Sequence, residues 1–131
     1  MTDLSDKTIF LVDDDKDFCF LIKMMLKKTK VKLLFAYNGE EAIQFMDKQA
    51  TQGIDIDLIL LDIQMPLISG YTVIDLFKKR YPELPVMAVT AFGMIGEREK
   101  CIQSGFDEYL SKPFEESDLV ILINRLLNPE S

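Results

Sequence analysis

Four short apolar runs, each ending on a polar residue with chemistry to offer, constrain this chain more than anything else in it. Ile9-Phe10-Leu11-Val12 runs into Asp13-Asp14, and Leu58-Ile59-Leu60-Leu61 runs into Asp62. Val86-Met87-Ala88-Val89 leads to Thr90-Ala91, and Tyr109-Leu110-Ser111 to Lys112-Pro113. Apolar runs of this length, bounded by polar residues, read as strands buried on both faces, as in a parallel sheet. In open α/β sheets the ligand crevice lies outside the carboxyl ends of the strands. Three carboxylates, a hydroxyl and an ammonium are therefore expected to share one crevice.

The rest of the pattern alternates strand and helix five times. Strands are read at about 8–12, 31–36, 57–61, 85–89 and 106–110, and helices at about 15–28, 39–50, 70–80, 94–103 and 116–127. Phe18, Leu21, Ile22 and Met25 in the first helix, and Leu119, Leu122, Ile123 and Leu126 in the last, keep the 3.6-residue period. Asn38 with Glu41 reads as a capping box, and Tyr81-Pro82 with Pro85 closes the third helix. Such alternation predicts parallel strands joined by right-handed crossovers. The expected fold is α/β, a single flavodoxin-like, doubly wound, five-stranded parallel sheet of order 2-1-3-4-5 with five helices.

The 131 residues suit one domain, with a core over about 8–127 and short frayed ends at Met1–Lys7 and Asn128–Ser131. Nothing is left over for an output domain, so the chain reads as a stand-alone protein or as a piece cut from a larger one. A net charge of −7 argues against nucleic acid as a direct partner. The one basic cluster, Lys27, Lys28, Lys30 and Lys32, follows a helix-like run, where lysines complement the macrodipole. Two well-separated cysteines and no signal peptide fit a reducing cytoplasm. No apolar run approaches the roughly 18 residues that span a bilayer. With no histidine, His-based catalysis and most zinc sites are excluded.

Two bare carboxylates about 4 Å apart repel by roughly 4 kcal/mol at an effective dielectric near 20. A cluster of Asp13, Asp14 and Asp62 therefore calls for a cation, and an all-oxygen, hydrated site suits Mg²⁺ or Mn²⁺. Taken alone, an Asp pair after a strand is more often a helix cap with a first-turn acid. An EF-hand loop is excluded, because its Gly and Glu positions hold Phe18 and Met24. Asp13 and Asp15 also resemble the DxD nucleophile of haloacid-dehalogenase-like phosphatases, whose following Thr or Ser is here Asp17.

In order along the chain, Leu11-Val12-Asp13-Asp14-Asp15, Leu61-Asp62-Ile63-Gln64-Met65-Pro66 with Gly70, Val89-Thr90-Ala91 and Tyr109-Leu110-Ser111-Lys112-Pro113-Phe114 resemble the receiver domain of two-component response regulators. The Thr90–Gly93 and Gly105–Pro113 segments resemble the receivers of hybrid histidine kinases. The resemblance implies a signalling switch rather than a turnover enzyme. Asp62 would accept a phosphoryl group from the phosphohistidine of a sensor or hybrid histidine kinase, or of a histidine phosphotransfer protein, and would later lose it by self-catalysed hydrolysis. Asp13, Asp14, Asp62 and the backbone carbonyl of Gln64 would hold Mg²⁺, and Thr90 and Lys112 would bind phosphoryl oxygens. Thr90 and Tyr109 would switch, altering the surface of the fourth helix, fifth strand and fifth helix for an effector or a homodimer. The side chains of Gln64 and Phe92 would tune the lifetime of the phosphoryl group. The apolar last helix, with Val120, Ile121 and Leu127, is expected either to be broadly buried or to offer a partner surface. A receiver-like module that is never phosphorylated remains the second reading, and a Mg²⁺-dependent aspartyl-phosphate phosphatase the third.

Overall fold

A computed structural model describes residues 2–53, 55–91 and 93–128. Among these, β1 (Thr8–Val12), α1 (Lys16–Met25), a 3₁₀ turn (Lys27–Thr29), β2 (Lys32–Ala36), α2 (Gly39–Gln52), β3 (Leu58–Asp62), α3 (Gly70–Arg80), β4 (Val86–Thr90), α4 (Glu97–Ser104), β5 (Glu108–Ser111) and α5 (Glu116–Leu127) follow one another. The strands pair in parallel in the order β2-β1-β3-β4-β5, as the alternation of apolar runs and amphipathic segments requires. The strands β3 and β4 are buried along their whole length, which is why their sequences read as unbroken apolar runs.

Alternate residues of each strand serve two separate cores. Phe10, Val12, Ile59, Leu61, Val86 and Ala88 meet α2, α3 and α4. Ile9, Leu11, Leu58, Leu60, Met87 and Val89 meet α1 and α5 through Ile22, Leu119 and Ile123. Each fully buried aliphatic side chain contributes roughly 1.5–3 kcal/mol relative to exposure.

Local chemistry sets the boundaries, and several differ from the sequence reading. β3 and β4 each run one residue further than expected, so Asp62 and Thr90 are themselves the last strand residues. α1 ends at Met25, not near residue 28, because the chain tightens into the 3₁₀ turn and Lys30 takes a left-handed φ of 65°. α4 begins at Glu97, not near residue 94, because Gly96 holds a positive φ of 82° at its N-cap. β5 begins at Glu108, two residues later than expected. Asn38 caps α2 as expected, its Oδ1 accepting from the Glu41 N–H at 2.8 Å, but Glu41 returns to Tyr37 and not to the cap's backbone: its Oε1 accepts from the Tyr37 N–H at 3.1 Å.

Residues 2–7 are anchored, not frayed: Leu4 is only 2% exposed, and its N–H donates to the Thr29 carbonyl at 2.7 Å. Burial of one leucine outweighs the pull of the charged residues around it. Residues 129–131 lie outside the described residues. On α5, Ile121 faces solvent while Val120 and Leu127 are half-buried against the core. Among the described residues no helix is long and apolar enough to cross a membrane.

Candidate functional site

The register of the sheet assembles the site. Val12 pairs with Leu61, so the next residues, Asp13 and Asp62, follow side by side on neighbouring chain segments. Asp62 pairs with Val89 on β4, one residue before Thr90, and Thr90 pairs with Ser111 on β5, one residue before Lys112. The Asp13 N–H donates to the Ala36 carbonyl at 3.1 Å, extending strand geometry past Val12, and the Lys112 N–H donates to the Thr90 carbonyl at 2.7 Å. Every expected member of the crevice therefore sits at the same end of the sheet.

Asp13, Asp14 and Asp62 place carboxylate oxygens within 4.8 Å of one another. Asp13 and Asp62 are buried, and Asp14 is exposed at the mouth. Lys112 Nζ donates to Asp13 Oδ2 at 3.0 Å, and the Asp15 N–H donates to Asp13 Oδ1 at 2.9 Å. Asp62 Oδ1 accepts from the Gln64 N–H at 3.1 Å and, among the described residues, has no ion pair of its own. Burial first, and then the neighbouring Asp13 charge, push the Asp62 carboxyl up to about 7, against the opposing pull of the Gln64 N–H and Lys112. Burial likewise raises Asp13, despite its bonds to Asp15 and Lys112. With all three carboxylates ionised, one ammonium leaves two negative charges uncompensated. That deficit, among oxygen-only donors, fits one hard divalent cation such as Mg²⁺.

Thr90 is fully buried, and among the described residues its hydroxyl has no hydrogen-bond partner. An unsatisfied buried hydroxyl costs roughly 1–3 kcal/mol. Beside an acidic cluster it fits a group with acceptor oxygens that arrives later. Tyr109 is half-buried, and its hydroxyl donates to Glu97 Oε1 of α4 at 2.7 Å. Burial and this bond push the phenol up to about 12. Gly93 fits under this side chain and Ser111, where a Cβ would stand 2.7 Å from Ser111 Oγ. Phe92 lies outside the described residues.

Sequence reasoning missed three members of this neighbourhood. Asp15, not Asp13 or Asp14, caps α1, accepting from the Asp17 and Phe18 N–H groups. The Phe18 ring lies under the Lys112 ammonium, 3.7 Å from Nζ to centroid, and meets Phe114 edge-on. Glu97 is the partner of Tyr109. The polar spacing after β1 offered a signal for Asp15. The other two contacts join distant segments and leave no local pattern.

Comparison with known proteins agrees with this geometry. The sequence profile described as the response regulator receiver domain matches residues 9–124. The chain is 34% identical over 119 residues to the transcriptional regulatory protein CpxR of Escherichia coli (strain K12), covering 91% of this chain and 48% of that protein. It is 35% identical over 108 residues to hybrid signal transduction histidine kinase I of Dictyostelium discoideum, covering 79% of this chain and 6% of that protein. The chain thus spans about half the length of CpxR and a small part of the kinase. Among solved structures, the Francisella response regulator 1452 receiver domain superposes with a TM-score of 0.83 at 26% identity, covering 95% of this chain and 99% of that one. A response regulator receiver domain protein from Clostridium thermocellum gives 0.84 at 27% identity, covering 95% and 96%. With the ordered motifs, the sheet order and the acidic crevice all in agreement, the chain belongs to the response regulator receiver domains of two-component signalling.

Proposed function

We propose that the chain is a cytoplasmic phosphoryl-accepting switch in which Asp62 takes a phosphoryl group from the phosphohistidine of a sensor or hybrid histidine kinase, or of a histidine phosphotransfer protein. The observation that carries this reading is a buried carboxylate that, among the described residues, has no ion pair of its own, in a crevice two positive charges short and beside a hydroxyl with no partner among them. We take the whole chain as one receiver unit.

An Asp62 oxygen attacks phosphorus, the P–N bond to the donor imidazole breaks, and the imidazole leaves with the bonding pair and takes up a proton. The product is an acyl phosphate, which water cleaves to return the carboxylate and inorganic phosphate. Asp13, Asp14, Asp62 and the Gln64 carbonyl would hold Mg²⁺, which supplies charge neutralisation for the transferring group. Lys112 releases Asp13 to meet a phosphoryl oxygen, and the Thr90 hydroxyl donates to another. The exposed Gln64 side chain stands two residues beyond Asp62, where it can orient the attacking water. Movement of Thr90 draws Tyr109 inward and breaks its bond to Glu97, changing the surface of α4, β5 and α5 that an effector or second copy reads.

The test is the intact mass after incubation with acetyl phosphate. A gain of one phosphoryl group, about 80 Da, is expected with Mg²⁺ and not with chelator. Asp14→Ala is expected to raise the Mg²⁺ concentration for half-maximal phosphorylation roughly tenfold, because it removes one oxygen donor without disturbing the buried pair. Absence of both phosphorylation and beryllofluoride binding would overturn the proposal.

A further inference from the structure

The two faces of the sheet are unequally covered. Among the described residues, α2, α3 and α4 pack on one face and α1 and α5 on the other. The edge strand β2 is only partly covered. Ile9 and Leu11 of β1 are fully buried on this face, whereas Val31, Leu33, Phe35 and Tyr37 on the β2 segment are only half-buried.

A groove of about 460 Å³ follows, floored by Leu26, Val31, Leu33 and Phe35 and walled by α1. On that wall Phe20 is 63% and Met24 47% exposed. Lys16, Phe20, Lys23, Met24 and Lys27 recur at three- and four-residue steps, which stacks them along one flank of α1 into the 3₁₀ turn. All three lysines are exposed, and Lys16 Nζ sits 5.1 Å over the Tyr37 ring at the upper end. Exposed Lys28 and Lys30 follow in the 3₁₀ turn at the C-terminal end of α1 and at its cap. In a chain of net charge −7 this is a local reversal of sign.

We propose that this groove receives an acidic amphipathic helix of a partner protein, lying beside α1 over β2 as the third helix of that face. Its apolar stripe meets Phe20, Met24, Leu33 and Phe35, and its carboxylates meet Lys16, Lys23 and Lys27. The gap lies over the sheet face and not along its edge, which favours a helix over an added strand. A twofold contact with a second copy would set the lysine rim against itself. An anionic membrane would meet a concave floor on a net-acidic protein. The groove runs about 15 Å down α1, away from the crevice, so an occupant there leaves Asp62 open to its phosphoryl donor.

The probe is a fluorescein-labelled 16-residue peptide of Leu, Ala and Glu with Leu at helical spacing, titrated into the full chain by anisotropy. Saturable micromolar binding is expected, at least about tenfold tighter than for a scrambled peptide of the same composition. Lys23→Glu with Lys27→Glu should weaken the acidic peptide at least about tenfold and strengthen one carrying Lys in place of Glu. That exposed double variant should still fold cooperatively, with a Tm at most a few degrees lower from the reversed charges at the end of α1, and still phosphorylate on Asp62. Equal binding of the scrambled peptide, indifference to the charge swap, or no saturation would overturn the proposal. So would preferential binding to phosphatidylserine vesicles, or self-association that the double variant abolishes, each naming a different occupant.

Discussion

Asp62→Asn will abolish phosphoryl uptake and, in the same molecule, stabilise the metal-free protein at pH 8 by on the order of 2–4 kcal/mol. Asn removes the carboxylate proposed as the nucleophile, so no mass gain should follow incubation with acetyl phosphate and Mg²⁺. The stability gain comes from the other side of the same arrangement. The Asp62 carboxyl is pushed from an ordinary 3.8 up to about 7, mainly by burial and then by Asp13. Between those values the folded chain holds a proton that the unfolded chain has released. Stability therefore falls as pH rises through that window, and the full penalty stands above about pH 7. Asn carries no such penalty, keeps the acceptor for the Gln64 N–H, and offers an amide donor to Asp13.

The difference between parent and variant should thus be largest at pH 8 and vanish towards pH 4. At pH 8 it should amount to roughly 10 °C in Tm for a domain of this size. With the cluster holding Mg²⁺ as proposed, the ion should narrow the gap, because it would stabilise only the folded parent. Thermal melts in chelator at pH 4, 6 and 8 measure this. A variant no more stable than the parent at pH 8, or a gain independent of pH, would mean that Asp62 is not a strained carboxylate. Residual phosphorylation of Asp62→Asn at the parent's rate would place the acceptor elsewhere.

The sheet and the crevice were legible for one reason: a parallel strand buried on both faces cannot hide its composition. Ile9–Val12, Leu58–Leu61 and Val86–Val89 announce both the strand and the point where it ends in polar chemistry. Helix ends were less legible. α4 has the polar sequence Glu97-Arg98-Glu99-Lys100-Cys101-Ile102-Gln103-Ser104, with Cys101 its buried residue, so periodicity could not fix its start; the left-handed Gly96 does. Leu4 looked like part of a polar tail because its burial depends on Thr29, far along the chain. The Phe18–Lys112 and Tyr109–Glu97 contacts depend on the packing of distant elements. The thin cover over β2 follows from its place at the edge of the sheet, which no window of residues records.

Gly70→Ala will cost about 3 kcal/mol or more, at the upper end of overpacking effects, and will slow phosphorylation of whatever remains folded. A Cβ at Gly70 would stand 2.5 Å from the Asp62 carbonyl oxygen and 2.7 Å from Ile63 Cα. Both are backbone atoms, so no side chain can rotate aside. The Gly70 N–H donates to the Ile63 carbonyl at 2.9 Å, pinning the first residue of α3 against the end of β3. Relief therefore requires α3 to lift or the Asp62–Gln64 segment to shift, and that segment carries the carboxylate proposed as acceptor and the carbonyl proposed as a Mg²⁺ ligand. Gly53→Ala is the control: it has a φ of 75° but nothing within 4 Å of the added carbon. Its cost should be that of a left-handed alanine alone, about 1–2 kcal/mol, with phosphorylation unchanged. Urea midpoints and acetyl phosphate kinetics on the two variants separate a steric lock on the site from a general dislike of alanine at glycine. If Gly70→Ala were as stable as Gly53→Ala and phosphorylated at the parent's rate, the close seating of α3 on Asp62 would have no part in holding the acceptor.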